Sequence, residues 1–186
     1  MARYEQKIDD ALAYLTSPGL LNATGDHPIC YVVYDVKDAM EINRMIDHTI
    51  KPKAIHTGFE PHVVSMAELV SGYIKGHDYY EDWNSLGNDF ESEIYGSIRE
   101  AITDENYLAS ALLSKLEEIK SSSQPLLILK DLEWLHPFDK MGRLEQLIYT
   151  SINIPVLVLY PGEAQGTARK FLNIHSMDGS YRSKNF

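Results

Sequence analysis

The sequence predicts an α/β fold of three layers, a mostly parallel sheet with helices on both faces. Three observations carry that prediction. Short apolar runs alternate with amphipathic stretches along the chain, as strand–helix–strand connectivity requires. Two of the runs, Leu126-Leu127-Ile128-Leu129 and Val156-Leu157-Val158-Leu159, are apolar at every position, which is how strands buried on both faces read. The first of them leads into Lys130-Asp131-Leu132-Glu133. That sets two acids at the carboxyl end of a strand, the edge where open α/β sheets bind ligands.

The elements follow in order. Tyr4, Ile8, Ala11, Leu12 and Leu15 recur at helical spacing, so a first amphipathic helix is expected over 3–14, closed by Ser17-Pro18-Gly19. Leu20 and Leu21 lead into a polar turn over 22–26. Ile29-Cys30-Tyr31-Val32-Val33-Tyr34 is rich in β-branched and aromatic residues and reads as a strand. Asp35 is placed to cap the next helix, whose inner face is expected to carry Met40, Ile42, Met45 and Ile46. Val63-Val64-Ser65-Met66 reads as a short strand after Pro61, followed by a helix over 67–75. From 77 to about 120 a helical insertion is expected: a polar, aromatic stretch over 77–90, a helix over 90–102 and another over 106–119, with Leu108, Leu112, Leu116 and Ile119 on one face.

Ser121-Ser122-Ser123-Gln124-Pro125 connects this insertion to the acidic strand and is too short for a domain linker. Leu144, Leu147 and Ile148 mark a helix that starts near Gly142 and Arg143. The run 154–160 is a second buried strand, expected to end at a tight turn at Pro161-Gly162, with Gly162 supplying a positive φ. A last short strand is expected over 170–174, and the tail over 178–183 is polar. No internal repeat or low-complexity segment interrupts this order, so residues 1–186 read as a single α/β domain.

Composition narrows the function classes. The chain has 186 residues, 44% hydrophobic and 24% charged, with a net charge of −10. Those proportions are ordinary for a globular protein. The acidic balance and the lack of a Lys/Arg cluster argue against direct nucleic-acid binding. No apolar run approaches the ~20 residues that span a bilayer, and the first residues lack the apolar core of a secretory signal. Cys30 is the one cysteine; set in an apolar run, it reads as a buried, inert thiol. A cytoplasmic protein without membrane attachment is the expectation.

Acids at a strand end resemble the magnesium-holding edge of ATPases. Such a site also needs a glycine-rich turn whose N–H groups cradle phosphates, with a lysine to neutralise them. After the first strand stands Tyr34-Asp35-Val36-Lys37-Asp38-Ala39, with no glycine and two acids. The expected architecture therefore resembles a degenerate P-loop/RecA-like ATPase core lacking the phosphate-binding loop. On that reading Asp131 is a helix cap and Glu133 a solvated acid. None of the seven histidines forms a His-x-x-x-His pair, and no Gly-x-Ser-x-Gly elbow occurs. His136, beside Asp131 and Glu133, is read as packed or solvated rather than as a metal ligand. Glu163 is expected near Asp131 and Glu133 if their strands are neighbours; three acids on one edge would form a patch for a basic partner.

The blocks Asp131-Leu132-Glu133-Trp134-Leu135-His136-Pro137-Phe138, Ile154-Pro155-Val156-Leu157-Val158-Leu159-Tyr160-Pro161-Gly162-Glu163 and Asp178-Gly179-Ser180-Tyr181-Arg182-Ser183 resemble the BrxB proteins of BREX phage-defence systems. The resemblance spans the chain and is specific in its last third. It implies a non-catalytic component of a bacteriophage-defence complex, an adaptor bound to other BREX components and above all to the PglZ-type phosphatase-like protein. No catalytic residue, cofactor or metal is expected. The candidate interaction surface comprises Asp131, Glu133, Trp134, His136, Glu163, Tyr181 and Arg182, with the aromatic segment from Tyr79 to Phe90 as a further candidate. The alternative is a divalent-metal-dependent nucleotide-binding or hydrolysing protein that uses Asp131 and Glu133.

Overall fold

A computed structural model describes residues 2–17, 28–86, 88–179 and 183–186. The turn expected at 22–26 and the candidate residues Tyr181 and Arg182 lie outside them. Helix α1 (Ala2–Leu15) precedes strand β1 (Ile29–Tyr34), and a 3-10 turn (Val36–Asp38) leads into α2 (Ala39–Met45). A π-turn (Ile46–Ile50) joins α2 to α3 (Lys51–His56), where Pro52 has no N–H to continue a regular ladder. Then come β2 (Glu60–Ser65), α4 (Met66–Gly76), α5 (Tyr80–Ser85), α6 (Glu91–Asp104), α7 (Tyr107–Ile119) and β3 (Pro125–Lys130). The rest of the chain forms α8 (Met141–Ile148), β4 (Val156–Gln165), β5 (Ala168–Phe171), β6 (Met177–Gly179) and β7 (Lys184–Asn185).

The strands lie in the order β2-β3-β4-β1-β7. All four pairings along that path are parallel. An antiparallel extension, β4 with β5 and β5 with β6, hangs from the far end of β4. Alternation within the strands sorts the core into two layers. Ile29, Tyr31 and Val33 of β1 join Leu127, Leu129, Val156 and Val158 on the face covered by α4 to α8. Cys30, Val32 and Tyr34 join Leu126, Ile128, Leu157 and Leu159 on the face covered by α1, α2 and α3. Each fully buried aliphatic side chain contributes about 1.5–3 kcal/mol, which is why these runs form strands.

Several sequence expectations are corrected. Met40 does not face inward; it is 71% exposed, and Ile42 and Met45 carry the buried stripe of α2, continued by Ile46 and Ile50 in the π-turn. Leu147 is likewise exposed beside buried Leu144 and Ile148. Met66 opens α4 rather than closing β2, because Ser65 caps the helix through a bond from the Glu68 N–H. Pro61 lies inside β2, tolerated because β2 is an edge strand. The last part of the chain holds β5 at Ala168–Phe171 in place of a strand over 170–174.

Pro161-Gly162 does not end β4. Pro161 still pairs with Tyr34 in the parallel register, and its carbonyl accepts from the Leu172 N–H at 3.0 Å. β4 then exchanges its parallel neighbour for antiparallel β5, with Gly162 opposite Phe171. Gly162 does have a positive φ, +146°, but inside the strand.

Candidate functional site

The carboxyl end of β3 gathers side chains from three elements. Asp131 adopts a left-handed backbone, φ +57°, a conformation that aspartate tolerates better than most residues. Its side chain does not cap the 3-10 turn Leu132–Leu135 that follows, contrary to the expectation. Asp131 Oδ2 accepts from Ser65 Oγ at 2.6 Å and lies 2.9 Å from Lys130 Nζ. Oδ1 accepts from Asn43 Nδ2 at 3.1 Å. One carboxylate thus ties α2, β2 and β3 together. Burial disfavours its charged form, but the bonds from Ser65, Lys130 and Asn43 outweigh that and hold its pKa below the usual carboxylate value.

Glu133 is not a solvated acid, which corrects the sequence reading. Its Oε2 is buried with no partner at ordinary hydrogen-bond distance, while the carboxyl group interacts with the Tyr34 phenol. Burial raises its pKa, and the nearby charge of Asp131 adds to the rise. The Tyr34 phenol at the end of β1 faces the two acids; burial, then Glu133, then Asp131 push it well above its ordinary value.

The turn after β1 closes on itself. Asp35 accepts from the Lys37 N–H at 3.2 Å and pairs with Lys37 Nζ at 2.7 Å. The Asp38 N–H donates to the Asp35 carbonyl at 2.8 Å. The Asp35 N–H donates to Tyr4 Oη at 3.2 Å, and Tyr4 Oη donates to Asp38 Oδ2 at 2.6 Å. N–H groups that a phosphate-binding turn would offer to a ligand are here bonded within the protein.

Beside this turn lies a crevice of about 550 Å³ between α1 and the ends of β1 and β4. Arg3, Lys7, Asp35 and Glu163 give it two charges of each sign. Lys7 Nζ donates to the main-chain oxygens of Val33 (2.8 Å) and Phe186 (3.0 Å). Its pKa is lowered by burial and then by Arg3. Asn173 Oδ1, on the same wall, is buried without a partner.

The candidate residues fall into groups. Asp131 and Glu133 share one site with Tyr34. Glu163 lies beyond the parallel part of β4, opposite Lys170 of β5, and lines the crevice with Arg3, Lys7 and Tyr34, so Tyr34 stands between Glu163 and the two acids. Trp134 is half exposed. His136 is exposed, and its Nδ1 is 2.9 Å from His175 Nε2. Ser65 and Asn43 escape sequence reasoning as partners of Asp131. Ser65 opens a Ser-x-x-Glu capping pattern, a readable sign of a helix start, whereas nothing local marks Asn43. Among the described residues, no group of three or more His, Cys, Asp or Glu is arranged to hold a metal ion, and no helix is long and apolar enough to cross a membrane. No protein-family model, curated protein or solved structure matches the chain.

Proposed function

We propose that this chain is a non-catalytic adaptor of a BREX bacteriophage-defence complex, docking onto the PglZ-type protein. On this reading its sheet is a degenerate P-loop/RecA-like core that retains the acidic strand end and has lost the phosphate turn. The observation that supports it is the closed turn after β1: Asp35, Lys37 and Asp38 direct their N–H groups to partners within the chain, two of them acids or acid-bound. An incoming triphosphate would have to break those bonds and would meet the Asp35 and Asp38 carboxylates. Interposing β4 between β1 and acidic β3 fits such a core. The resemblance in the last third of the sequence supplies the partner class.

The test is co-purification. The tagged chain, expressed with the full set of BREX components, is expected to retain the PglZ-type protein through gel filtration, and recovery of the tagged chain alone would count decisively against the adaptor. Calorimetric titration with magnesium and ATP is expected to be flat. One observation favours the second reading, a magnesium-dependent nucleotide protein: Glu133 Oε2 is buried beside Asp131 with no partner at ordinary hydrogen-bond distance, as an acid awaiting a cation would be. That reading requires a heat of ATP binding which Asp131→Ala abolishes.

A further inference from the structure

The helical segment between β2 and β3 holds a second cleft, of about 360 Å³, on the face opposite α1 to α3. Its floor is the C-terminal part of α4, where Gly72 and Gly76 stand one turn apart. A helical glycine costs up to about 1 kcal/mol relative to alanine. Close packing does not demand either one, since a Cβ at Gly72 or Gly76 would meet nothing within 4 Å. What the pair provides is open floor.

One wall is aromatic. Tyr73 of α4 and Tyr107 of α7 pack with ring centroids 4.5 Å apart, and His77 lies 5.3 Å from Tyr73. His77 is itself stacked on Trp83 at 4.7 Å, which fixes the wall from behind. The rim is acidic. Asp78 and Glu105 both line the cleft. Glu105 is more than half exposed, and the basic nitrogen the structure places by it is His77 Nε2, 3.8 Å away and beyond hydrogen-bond distance. The Tyr73 hydroxyl is buried, with no partner at ordinary hydrogen-bond distance; burial first, then a longer interaction with the Glu105 carboxylate, hold its proton in place.

A cleft lined by Tyr73, His77 and Tyr107 beside the carboxylates of Asp78 and Glu105, on a chain of net charge −10, fits one chemistry, an organic cation. Arginine fits better than lysine. Its planar guanidinium stacks on a tyrosine ring while forking onto a carboxylate, and it sheds water more readily than an ammonium. We propose that this cleft receives an arginine side chain from a basic segment of the partner protein; the proposal rests on the adaptor reading above.

The test uses the full chain with Trp134→Phe, so that Trp83 alone reports. Acetyl-Gly-Arg-Gly-amide is titrated against its citrulline counterpart, which keeps shape and removes charge. Saturable quenching with a dissociation constant of about 1 mM, weakened roughly tenfold by citrulline and by Glu105→Gln, is the expected result. Equal response to both peptides, no saturation, or indifference to Glu105→Gln overturns the proposal; Glu105 is exposed, so that variant is not compromised by misfolding. Co-purification separates the two claims. A PglZ-type partner retained equally by wild type and by Glu105→Gln sinks the cleft and leaves the adaptor standing. Arginine binding without any retained partner sinks the adaptor and leaves the cleft as a cation site.

Discussion

The Tyr31 hydroxyl of β1 donates a 2.5 Å hydrogen bond to Glu145 Oε2 of α8, and both residues are buried. Arg169 of β5 completes the group. Its Nη2 is 3.3 Å from the same carboxylate oxygen, and its guanidinium sits 3.6 Å above the Tyr31 ring. Its Nη1 donates to Ser183 Oγ and Asn185 Oδ1. A buried acid, a buried cation and a phenol thus bind the sheet centre to α8, the β4–β5 hairpin and the last strand.

Removing one charge from that group leaves the other buried and unpaired. Arg169→Met is therefore expected to cost about 3–5 kcal/mol. Tyr31→Phe removes one bond to a charged acceptor and is expected to cost about 1.5–3 kcal/mol. The triple replacement Tyr31→Phe, Glu145→Leu and Arg169→Met should recover much of the loss, because it removes both desolvated charges and the phenol that Glu145 satisfies. Urea midpoints at constant slope check the three values.

Ser65→Ala acts at two places. It removes the cap of α4 and the 2.6 Å bond to Asp131. The cap alone is worth about 1 kcal/mol, and a bond to a charged acceptor about 1.5–3 kcal/mol. A loss of roughly 2–4 kcal/mol is expected. Ser65→Asp offers a cap but sets a second carboxylate against Asp131, so it should be no better than alanine at pH 7. Thermal melts of the two variants decide this.

Gly162→Ala should be among the most damaging small changes in the chain. A Cβ there would collide with the main-chain oxygen of Lys170 on the paired strand, at a φ of +146° that side chains rarely adopt. Relief requires parting β4 from β5, and Arg169 sits on that hairpin. A loss above about 4 kcal/mol is expected, the range reserved for strain and core disruption. Insoluble expression, or a melt lowered by well over ten degrees in any soluble fraction, is the readout; near-wild-type stability would contradict the pairing.

The strands were legible because burial on both faces leaves an uninterrupted apolar run, as Leu126 to Leu129 shows. The helices were legible from their stripes, apart from Met40 and Leu147, whose apolar character at near-helical spacing did not decide their direction. Pro161-Gly162 misled because those residues signal a turn locally, while the real event is an exchange of β4 from one partner to another. Arg169 was invisible: a charged residue in a short strand reads as surface until Glu145, twenty-four positions earlier, is brought to it. Asp131 and Glu133 were recognised as a pair at the right edge, but their environments come from Asn43, Ser65 and Tyr34, which no spacing connects to them.

Those environments move the two acids in opposite directions and give the site a pH signature. The folded-state pKa of Asp131 lies below its usual value, so the stability it contributes is present above about pH 4 and is lost as pH falls through the depressed folded value. Glu133 is raised. The native state holds its proton more tightly than the unfolded chain does, so its contribution favours the fold in acid and is withdrawn as pH climbs through the usual glutamate range, about 4.3, to the raised value. Asp131→Asn should therefore melt below wild type at pH 7, with the gap closing in acid. Glu133→Gln should melt at or above wild type at pH 7, and its advantage should vanish below about pH 4. Melts recorded from pH 3 to pH 8 test both signs. The same variants separate the two functional readings. If the buried Oε2 of Glu133 serves a divalent ion, millimolar magnesium raises the melting temperature of wild type at pH 7 and leaves Glu133→Gln unmoved. An adaptor that uses this edge without a cation shows no magnesium dependence in either protein.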